Sequence, residues 1–290
     1  MIPKYVLVTA ARNEEHYIEK TISSVVAQSV KPEKWIIVND GSTDRTEEIL
    51  NFYSLKYSFI HPLNIKSDKN RNFASKIYAI HEGMKSLKGT DYDFIGNIDS
   101  DIEFGTDYFE ILMTRFREDE KLGIAGGWIH ELQKGKYKER FGNAEYSVPG
   151  AIQTFRRECF ESIGRFLPLK TGGEDSIAEV MARMHGWLTI SFRDLKVFHL
   201  RMTGTEKTGI LGARYRQGKQ DYFLGNHPLF ELLKFCSRIQ AKPPIIGSVF
   251  SLIGYLSGIL SKEHIAVPRD VKDYLRKEQM DRIISLIKSK

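Results

Sequence analysis

The stretch FIGNIDSDIEF, residues 94–104, ends an apolar run with two aspartates separated by one serine. The run predicts a strand that is buried on both faces, with Asp99 and Asp101 at its end. On an extended chain residues i and i+2 point the same way, so the two carboxylates repel each other unless a cation lies beside them. Mg²⁺ and Mn²⁺ prefer such oxygen ligands and also bind phosphate oxygens. An exposed acidic turn is the competing interpretation of the pattern.

Two further apolar runs precede this one, at residues 5–10 and 35–38, and an amphipathic helix pattern follows each. Asn13 is predicted to be the N-cap of the first helix. Strands alternating with helices predict an α/β fold with a mostly parallel sheet. Ligands bind at the carboxyl ends of such strands, so we expect the loops TAARNEE, NDGSTD and DSD to converge on one edge of the sheet.

Other polar residues at predicted strand or helix ends have two interpretations each. Asp40 in NDGS makes a turn, accepts hydrogen bonds from a ribose or base, or does both. Glu174 and Asp175 in TGGED are first-turn acids of a helix, or one is a general base that faces an acceptor hydroxyl. His199 ends the run LKVFHL and is either structural or a further metal ligand.

Four segments carry a resemblance to a known family. The segments VTAARNEEHYIEKTISSVVAQS, WIIVNDGSTDRTEEI, NIDSDIEF and GGEDSIAEVMARMHG resemble, in order and spacing, family 2 glycosyltransferases with the GT-A fold. The resemblance covers roughly residues 5–201. It implies a GT-A domain, Rossmann-like with helices flanking the sheet, that uses a nucleoside-diphosphate sugar and Mg²⁺ or Mn²⁺ and inverts the anomeric carbon.

The resemblance also assigns roles residue by residue. Asp175 matches the general base, with Glu174 as the alternative. The metal ligands implied are Asp101, Asp99 and His199. The nucleotide-sugar contacts implied are Thr9, Ala11, Arg12, Glu14, Asp40, Arg71, Lys76, Asp99 and Ser100. The first loop departs from the family's Pro-x-Tyr-Asn, because Ala11 replaces the aromatic residue; Arg12 is the candidate to stack on the base instead.

The C-terminal third is predicted to differ from residues 1–200, the expected catalytic domain. Residues 201–242 are basic and aromatic, and Arg214 and Arg216 either close over the donor diphosphate or form a solvated basic face. Residues 243–290 hold the uncharged stretch PPIIGSVFSLIGYLSGIL and a charged tail. We favour a membrane-embedded re-entrant or interfacial helix pair for this apolar stretch, over a core hairpin or a single span.

Composition limits the class of protein. The net charge of +6 favours an anionic partner, and Cys159 and Cys236 lack the spacing of a zinc site or disulfide framework. The sequence therefore predicts an inverting glycosyltransferase at the cytoplasmic face of the membrane, or alternatively in the cytoplasm. A lipid-linked or saccharide acceptor is expected, in cell-surface polysaccharide or glycolipid synthesis, with no nucleic-acid partner. A nucleotidyltransferase and a non-catalytic nucleotide-sugar-binding protein are the rival functions, and the oligomeric state stays open.

Overall fold

The computed structural model describes residues 3–66, 72–133, 135–201, 209–239, 244–261 and 264–288. Within these ranges the chain forms nine strands and ten helices. The strands are β1 (Tyr5–Ala11), β2 (Lys34–Asp40), β3 (Ile60–Ile65), β4 (Phe94–Ile98), β5 (Ile102–Phe104), β6 (Leu122–Gln133), β7 (Lys136–Glu139), β8 (Ile152–Arg156) and β9 (Leu188–His199). The helices are α1 (Ile18–Val26), α2 (Thr46–Lys56), α3 (Ala74–Lys85), α4 (Tyr108–Glu118), α5 (Arg157–Ser162), α6 (Glu174–Met184), α7 (Gly209–Phe223), α8 (Pro228–Ser237), α9 (Ile246–Ser261) and α10 (Arg269–Lys288).

The described strands form one sheet in the order β3-β2-β1-β4-β8-β6-β9-β5, and β7 pairs with β6. Strands β1 to β4 run parallel to one another, as the alternation of strands and helices predicts, and β3 is a strand that the apolar runs did not indicate. The other half departs from the expected mostly parallel sheet, because β8 is antiparallel to both β4 and β6 and β5 is antiparallel to β9. In the described chain between β6 and β8 no helix provides the crossover that parallel pairing requires.

Two hydrophobic layers cover the two faces of the sheet. Tyr5 and Leu7 of β1 belong to the layer that includes residues of α1 and α4. Val6 and Val8 belong to the layer that includes residues of α3, α5 and α6. Because successive strand residues face opposite sides, a strand between two helical layers must be apolar at every position. Polar side chains therefore come together at the strand ends.

By its internal contacts the chain divides into two units. The first unit comprises Met1–Lys170 and Glu174–Arg201, and the second comprises Thr171–Gly173 and Met202–Lys290. The predicted boundaries inside the C-terminal third stay predictions.

In the second unit, α7 packs closely against α9. A Cβ added at Gly254 of α9 would meet backbone atoms of Tyr215, and one at Gly258 would meet the ring of Tyr222. The glycines therefore permit the close approach of the two helices. The apolar stretch forms one continuous helix from Ile246 to Ser261 and not the expected pair. None of the described helices combines the length and the apolarity that crossing a membrane demands.

The opposite side of α9 is exposed and apolar. Its exposed side chains recur at helical spacing, and α8 adds three exposed leucines. These residues, which we call the apolar stripe, are Ile246, Val249, Ile253, Leu256, Ile259 and Leu260 of α9 and Leu229, Leu232 and Leu233 of α8.

Candidate functional site

Two acidic strand-end residues and a histidine form a compact group, which we call the DxD cluster (Asp99, Asp101 and His199). Asp99 and Asp101 lie in the short connection between β4 and β5. β9 pairs with β5 in a register that places His199 opposite Ile102, beside Asp101. One ligand atom from each member of the cluster lies within 4.8 Å of the others. Strand pairing thus joins residues that are distant in the sequence.

The donor set of the DxD cluster fits a hard divalent cation. Nδ1 of His199 lies 2.6 Å from the backbone oxygen of Arg201, and Nε2 faces Asp101 at 3.6 Å from Oδ1. Burial and the nearby Asp99 raise the pKa of Asp101, whereas His199 and Arg201 oppose that rise. Two carboxylates and an imidazole are suitable ligands for Mn²⁺, and the carboxylates suit Mg²⁺.

Arg201 is a site residue to which the sequence analysis gave no role. Its Nε donates to Oδ2 of Asp101 at 2.5 Å, and its Nη2 donates to Oε1 of Glu14 at 2.7 Å. Burial raises the pKa of Glu14 to about 7, although the charge of Arg201 opposes the rise. The available signal was spacing: Arg201 follows His199 by two residues, and alternate residues of an extended chain share a face.

Lys76 connects the DxD cluster to a second acidic group. Its Nζ donates to Oδ1 of Asp99 at 2.5 Å. Burial alone would lower the pKa of Lys76, but the charges of Asp99, Glu174 and Asp175 raise it. The ammonium group therefore stays charged near both acidic groups.

The second acidic group is the α6 carboxyl pair, Glu174 and Asp175, in the first turn of α6. Burial and the charge of Asp175 raise the pKa of Glu174 to about 7. Asp175 lies against Gly150, where an added Cβ would approach Oδ2 of Asp175 to 2.5 Å. Only a residue without a side chain fits there without moving the carboxylate. Sequence reasoning missed Gly150, which belongs to no recognised motif.

The first loop is joined to the NDGSTD loop by hydrogen bonds. Oδ1 of Asn13 accepts from the backbone N–H of Thr43, and Oγ1 of Thr46 accepts from the backbone N–H of Glu14, both at 2.8 Å. The prediction that Asn13 caps α1 was wrong: α1 begins at Ile18, and Asn13 has a φ of 54°. Asn13 tolerates this left-handed conformation better than most residues, and its side chain ties the two loops together.

The remaining predicted donor contacts occupy different environments. Asp40 is buried at the end of β2, and its backbone oxygen accepts from Nη1 of Arg12 at 3.2 Å. Ser100 is buried between the two aspartates. The side chains of Thr9 and Ala11 are both buried in the packing around β1, and their contact with a donor stays a prediction. The hydroxyl of Thr9 accepts from the indole Nε1–H of Trp35 at 3.0 Å, so it faces the core.

The structure does not test three further predicted donor contacts. Arg71 falls outside the described residues. Arg214 and Arg216 lie on α7 in the second unit, where burial and the charge of Arg238 lower the pKa of Arg214. Their role toward a donor stays a prediction.

Comparison with known proteins relates this geometry to one family. Residues 6–173 match the family model described as Glycosyl transferase family 2. The poly-beta-1,6-N-acetyl-D-glucosamine synthase of Staphylococcus aureus strain COL is 31% identical over 145 residues, which are 50% of this chain and 33% of the relative. The synthase of the same name from Staphylococcus epidermidis is 28% identical over 173 residues, covering 53% of this chain and 40% of the relative. The chain thus spans less than half the length of these curated relatives.

Solved structures show the same architecture. The mannosyltransferase PcManGT from Pyrobaculum calidifontis, in complex with GDP-Man and Mn²⁺, matches with a TM-score of 0.61 at 14% identity, over 91% of this chain and 89% of that chain. S. aureus TarS 1–349, in complex with UDP-GlcNAc, matches with a TM-score of 0.56 at 14% identity, over 94% of this chain and 78% of that chain. At such identities the likeness establishes the fold alone, and it confirms the predicted GT-A class with a C-terminal helical region.

Proposed function

The chain belongs to glycosyl transferase family 2, and from this premise we propose that it transfers a sugar from a nucleoside-diphosphate sugar to an acceptor hydroxyl or phosphate, with inversion. The observation that carries the proposal is the position of Lys76. Its ammonium group bonds Asp99 of the DxD cluster and is also subject to the charges of the α6 carboxyl pair. A donor-binding group and a candidate base thus lie near one another, as a single displacement requires.

The residues of the DxD cluster are suited to the departing nucleoside diphosphate. Asp99, Asp101 and His199 would hold Mg²⁺ or Mn²⁺, which would supply positive charge to the diphosphate. Lys76 and Arg201 add fixed positive charges from the protein itself. Charges that are positioned before the reaction stabilise developing negative charge without reorganisation.

Asp175 has the role of general base in this proposal. Its carboxylate takes the proton of the acceptor hydroxyl while the diphosphate leaves from the opposite face of the sugar, so one displacement inverts the anomeric carbon. The absent side chain of Gly150 leaves room for the carboxylate. Glu174 is the alternative base, since burial has already raised its pKa to about 7.

The donor class is tested most directly by binding. The relevant neighbours were solved with GDP-Man, UDP or UDP-GlcNAc, which supports a nucleoside-diphosphate sugar without selecting the base. Thermal-shift titrations with UDP, GDP and dTDP, each with and without Mn²⁺, should give metal-dependent stabilisation by one of them. Product analysis with the matching sugar nucleotides then distinguishes the rivals. A nucleotidyltransferase transfers the nucleotide itself, and a binding protein returns intact donor.

The acceptor and the location form a second part of the proposal. We place the protein peripherally at the cytoplasmic face of the membrane, acting on a lipid-linked acceptor in polysaccharide or glycolipid synthesis. The apolar stripe supports this placement, because exposed apolar surface of that extent is uncommon on proteins that remain in water alone. The net charge of +6 adds attraction to anionic lipid.

A vesicle experiment tests the placement. The full chain should float with phosphatidylglycerol-containing vesicles, and Ile253→Asp with Leu256→Asp should leave it at the bottom of the gradient. Phe52→Asp with Leu55→Asp, at exposed apolar positions of α2, is the matched control. A wild-type chain that is monomeric without detergent and ignores vesicles contradicts the membrane assignment but leaves the transfer reaction untouched.

A further inference from the structure

A buried glutamate on α6 lies one helical turn beyond Asp175. Glu179 follows Asp175 by four residues, so both side chains project from the same face of α6. Glu179 is only 3% exposed. Its Oε1 accepts from the backbone N–H of Val148 at 2.5 Å and lies 3.4 Å from the hydroxyl of Ser147. None of the roles described so far uses this carboxyl group.

Gln153 of β8 strengthens the same junction. Its Nε2 donates to the backbone oxygen of Val148 at 3.0 Å, and it lies 3.4 Å from both Oε1 of Glu179 and the backbone oxygen of Asp175. Nη1 of Arg183 lies 3.6 Å from Oε2 of Glu179. We call residues 147–150 the brace segment. Glu179 binds the N–H of Val148, and Gln153 connects the C=O of Val148 to α6, so the segment is held to the helix through both backbone groups of Val148.

The far end of the brace segment meets the candidate base. Gly150 is two residues beyond Val148, and its Cα lies against the carboxylate of Asp175. Two residues of chain reach at most about 7 Å, and one helical turn rises about 5.4 Å. The two residues from Val148 to Gly150 must therefore be nearly extended to cover one turn of α6, and Pro149 between them has a fixed φ. Holding Val148 one turn from Asp175 therefore leaves Gly150 little freedom to move.

We infer that Glu179 is a positioning residue for the general base: it anchors the brace segment so that Gly150 confines the Asp175 carboxylate in one orientation toward the acceptor. This inference rests on the proposed transfer reaction. A buried carboxyl group is unfavourable unless hydrogen bonds compensate its loss of water. Here the compensating donors all belong to the brace segment, to Gln153 or to Arg183.

The first experiment separates catalysis from donor binding in the full chain. Glu179→Ala should lower kcat for transfer by roughly 10- to 100-fold, the scale of a misplacement of about 1 Å, while the nucleoside-diphosphate Kd stays within about 3-fold. Glu179→Gln keeps an oxygen that accepts from Val148 and should recover most of the lost kcat. Glu161→Ala is the control, since Glu161 is an exposed helical glutamate that also pairs with an arginine at i,i+4 spacing.

A double-mutant cycle with Asp175→Asn then asks whether Glu179 acts through the base. With Asp175 already replaced, Glu179→Ala should change the residual rate by no more than about 2-fold, because coupled residues are not additive. Additive losses, or equal loss of kcat and nucleotide affinity, overturn the inference. Gln153→Leu, which removes the same junction from the other side, gives a second variant with the same expectations should Glu179→Ala fail to fold. A wild-type chain that binds nucleotide but transfers no sugar defeats the proposed function instead.

Discussion

The DxD cluster and the α6 carboxyl pair are two acidic groups of the candidate site, and they differ in how closely cations of the protein contact them. In the cluster, Asp101 accepts from Arg201 and Asp99 accepts from Lys76, so cations of the protein already offset the carboxylate charge. In the pair, burial and the neighbouring Asp175 dominate, and the pKa of Glu174 rises to about 7. In the cluster, the charges of His199 and Arg201 oppose the rise in the pKa of Asp101 that burial and Asp99 cause, and a bound cation would oppose it further. The environment of the pair favours uptake of a proton near neutral pH.

Among the replacements that test this difference, that of Asp101 is expected to lower transfer the most. Asp101→Ala removes a buried cluster carboxylate, and transfer should fall by at least about 10³-fold, equivalent to about 4 kcal/mol of transition-state stabilisation. Nucleoside-diphosphate binding should weaken only when Mn²⁺ is present, as measured by calorimetry with and without the metal. The exposed Asp107, replaced by alanine, serves as the control. Equal metal-stimulated binding by wild type and Asp101→Ala contradicts the assignment of the cluster.

Replacement of Asp175 should distinguish the roles of the two acidic groups, since it should lower the rate of transfer without weakening donor binding. Asp175→Asn keeps the size and polarity of the side chain but cannot accept the proton, so transfer should fall by roughly 10²-fold or more. Donor affinity should change by about 1 kcal/mol or less, because in the proposed reaction Asp175 faces the acceptor and not the donor. Calorimetry beside a transfer assay gives both quantities. If donor affinity collapses too, Asp175 belongs to the donor site; if activity persists, Glu174 is the next base to test.

A smaller effect is expected from filling the space at Gly150. Gly150→Ala places a Cβ 2.5 Å from Oδ2 of Asp175, so the carboxylate must turn away from its place. Transfer should fall by roughly 10-fold, with nucleotide affinity retained, as expected for an imperfectly oriented base. Gly105→Ala is the matched control, because its Cβ meets the exposed Asp107 at 3.1 Å. Wild-type kcat in Gly150→Ala would show that the orientation of Asp175 does not depend on this contact.

The smallest predicted effect is a pH dependence of the folding stability that Glu179, on the same helix as the α6 carboxyl pair, should cause. Burial raises the pKa of Glu179 from 4.5 to about 8, and Asp175 adds to the rise while Arg183 opposes it. Between these two values the unfolded chain has lost the proton that the folded chain keeps, so the contribution of Glu179 to stability is lost as the pH rises. Glu179→Gln cannot titrate, and its melting temperature relative to wild type should increase by on the order of 2–4 °C from pH 5 to pH 8. Thermal melts at five pH values measure it, and parallel curves contradict it.

The half of the fold that local patterns determine was predictable from the sequence. Continuous apolar runs indicate β1, β2 and β4 because a strand between two helical layers has no polar face. The loop after each strand, including the pair Asp99 and Asp101, could be assigned to the sheet edge for the same reason. The pairing of the later strands could not, since a strand's own pattern does not reveal its neighbour or its direction.

The convergence of the predicted ligand His199 and the unpredicted Arg201 on the site depends on that hidden pairing. His199 and Arg201 reach Asp101 because β9 pairs with β5, almost one hundred positions earlier in the chain. Gly150 and Glu179 matter through a contact between a loop and a helix, and neither residue belongs to a recognisable motif. Thr9 matches the family's first loop by position, but only the structure reveals that its hydroxyl accepts a hydrogen bond from the indole N–H of Trp35.

The hydrogen bonds between the first loop and residues 42–46 have a consequence for how sequences can diverge within the family. Asn13 bonds the backbone N–H of Thr43, and Thr46 at the start of α2 bonds the backbone N–H of Glu14, so replacing either side chain leaves an N–H of the other segment without that partner. A substitution that reshapes one loop therefore disturbs its partner as well. Viable changes should arise as coordinated replacements, and aligned relatives should show correlated variation between positions 13–15 and 42–46.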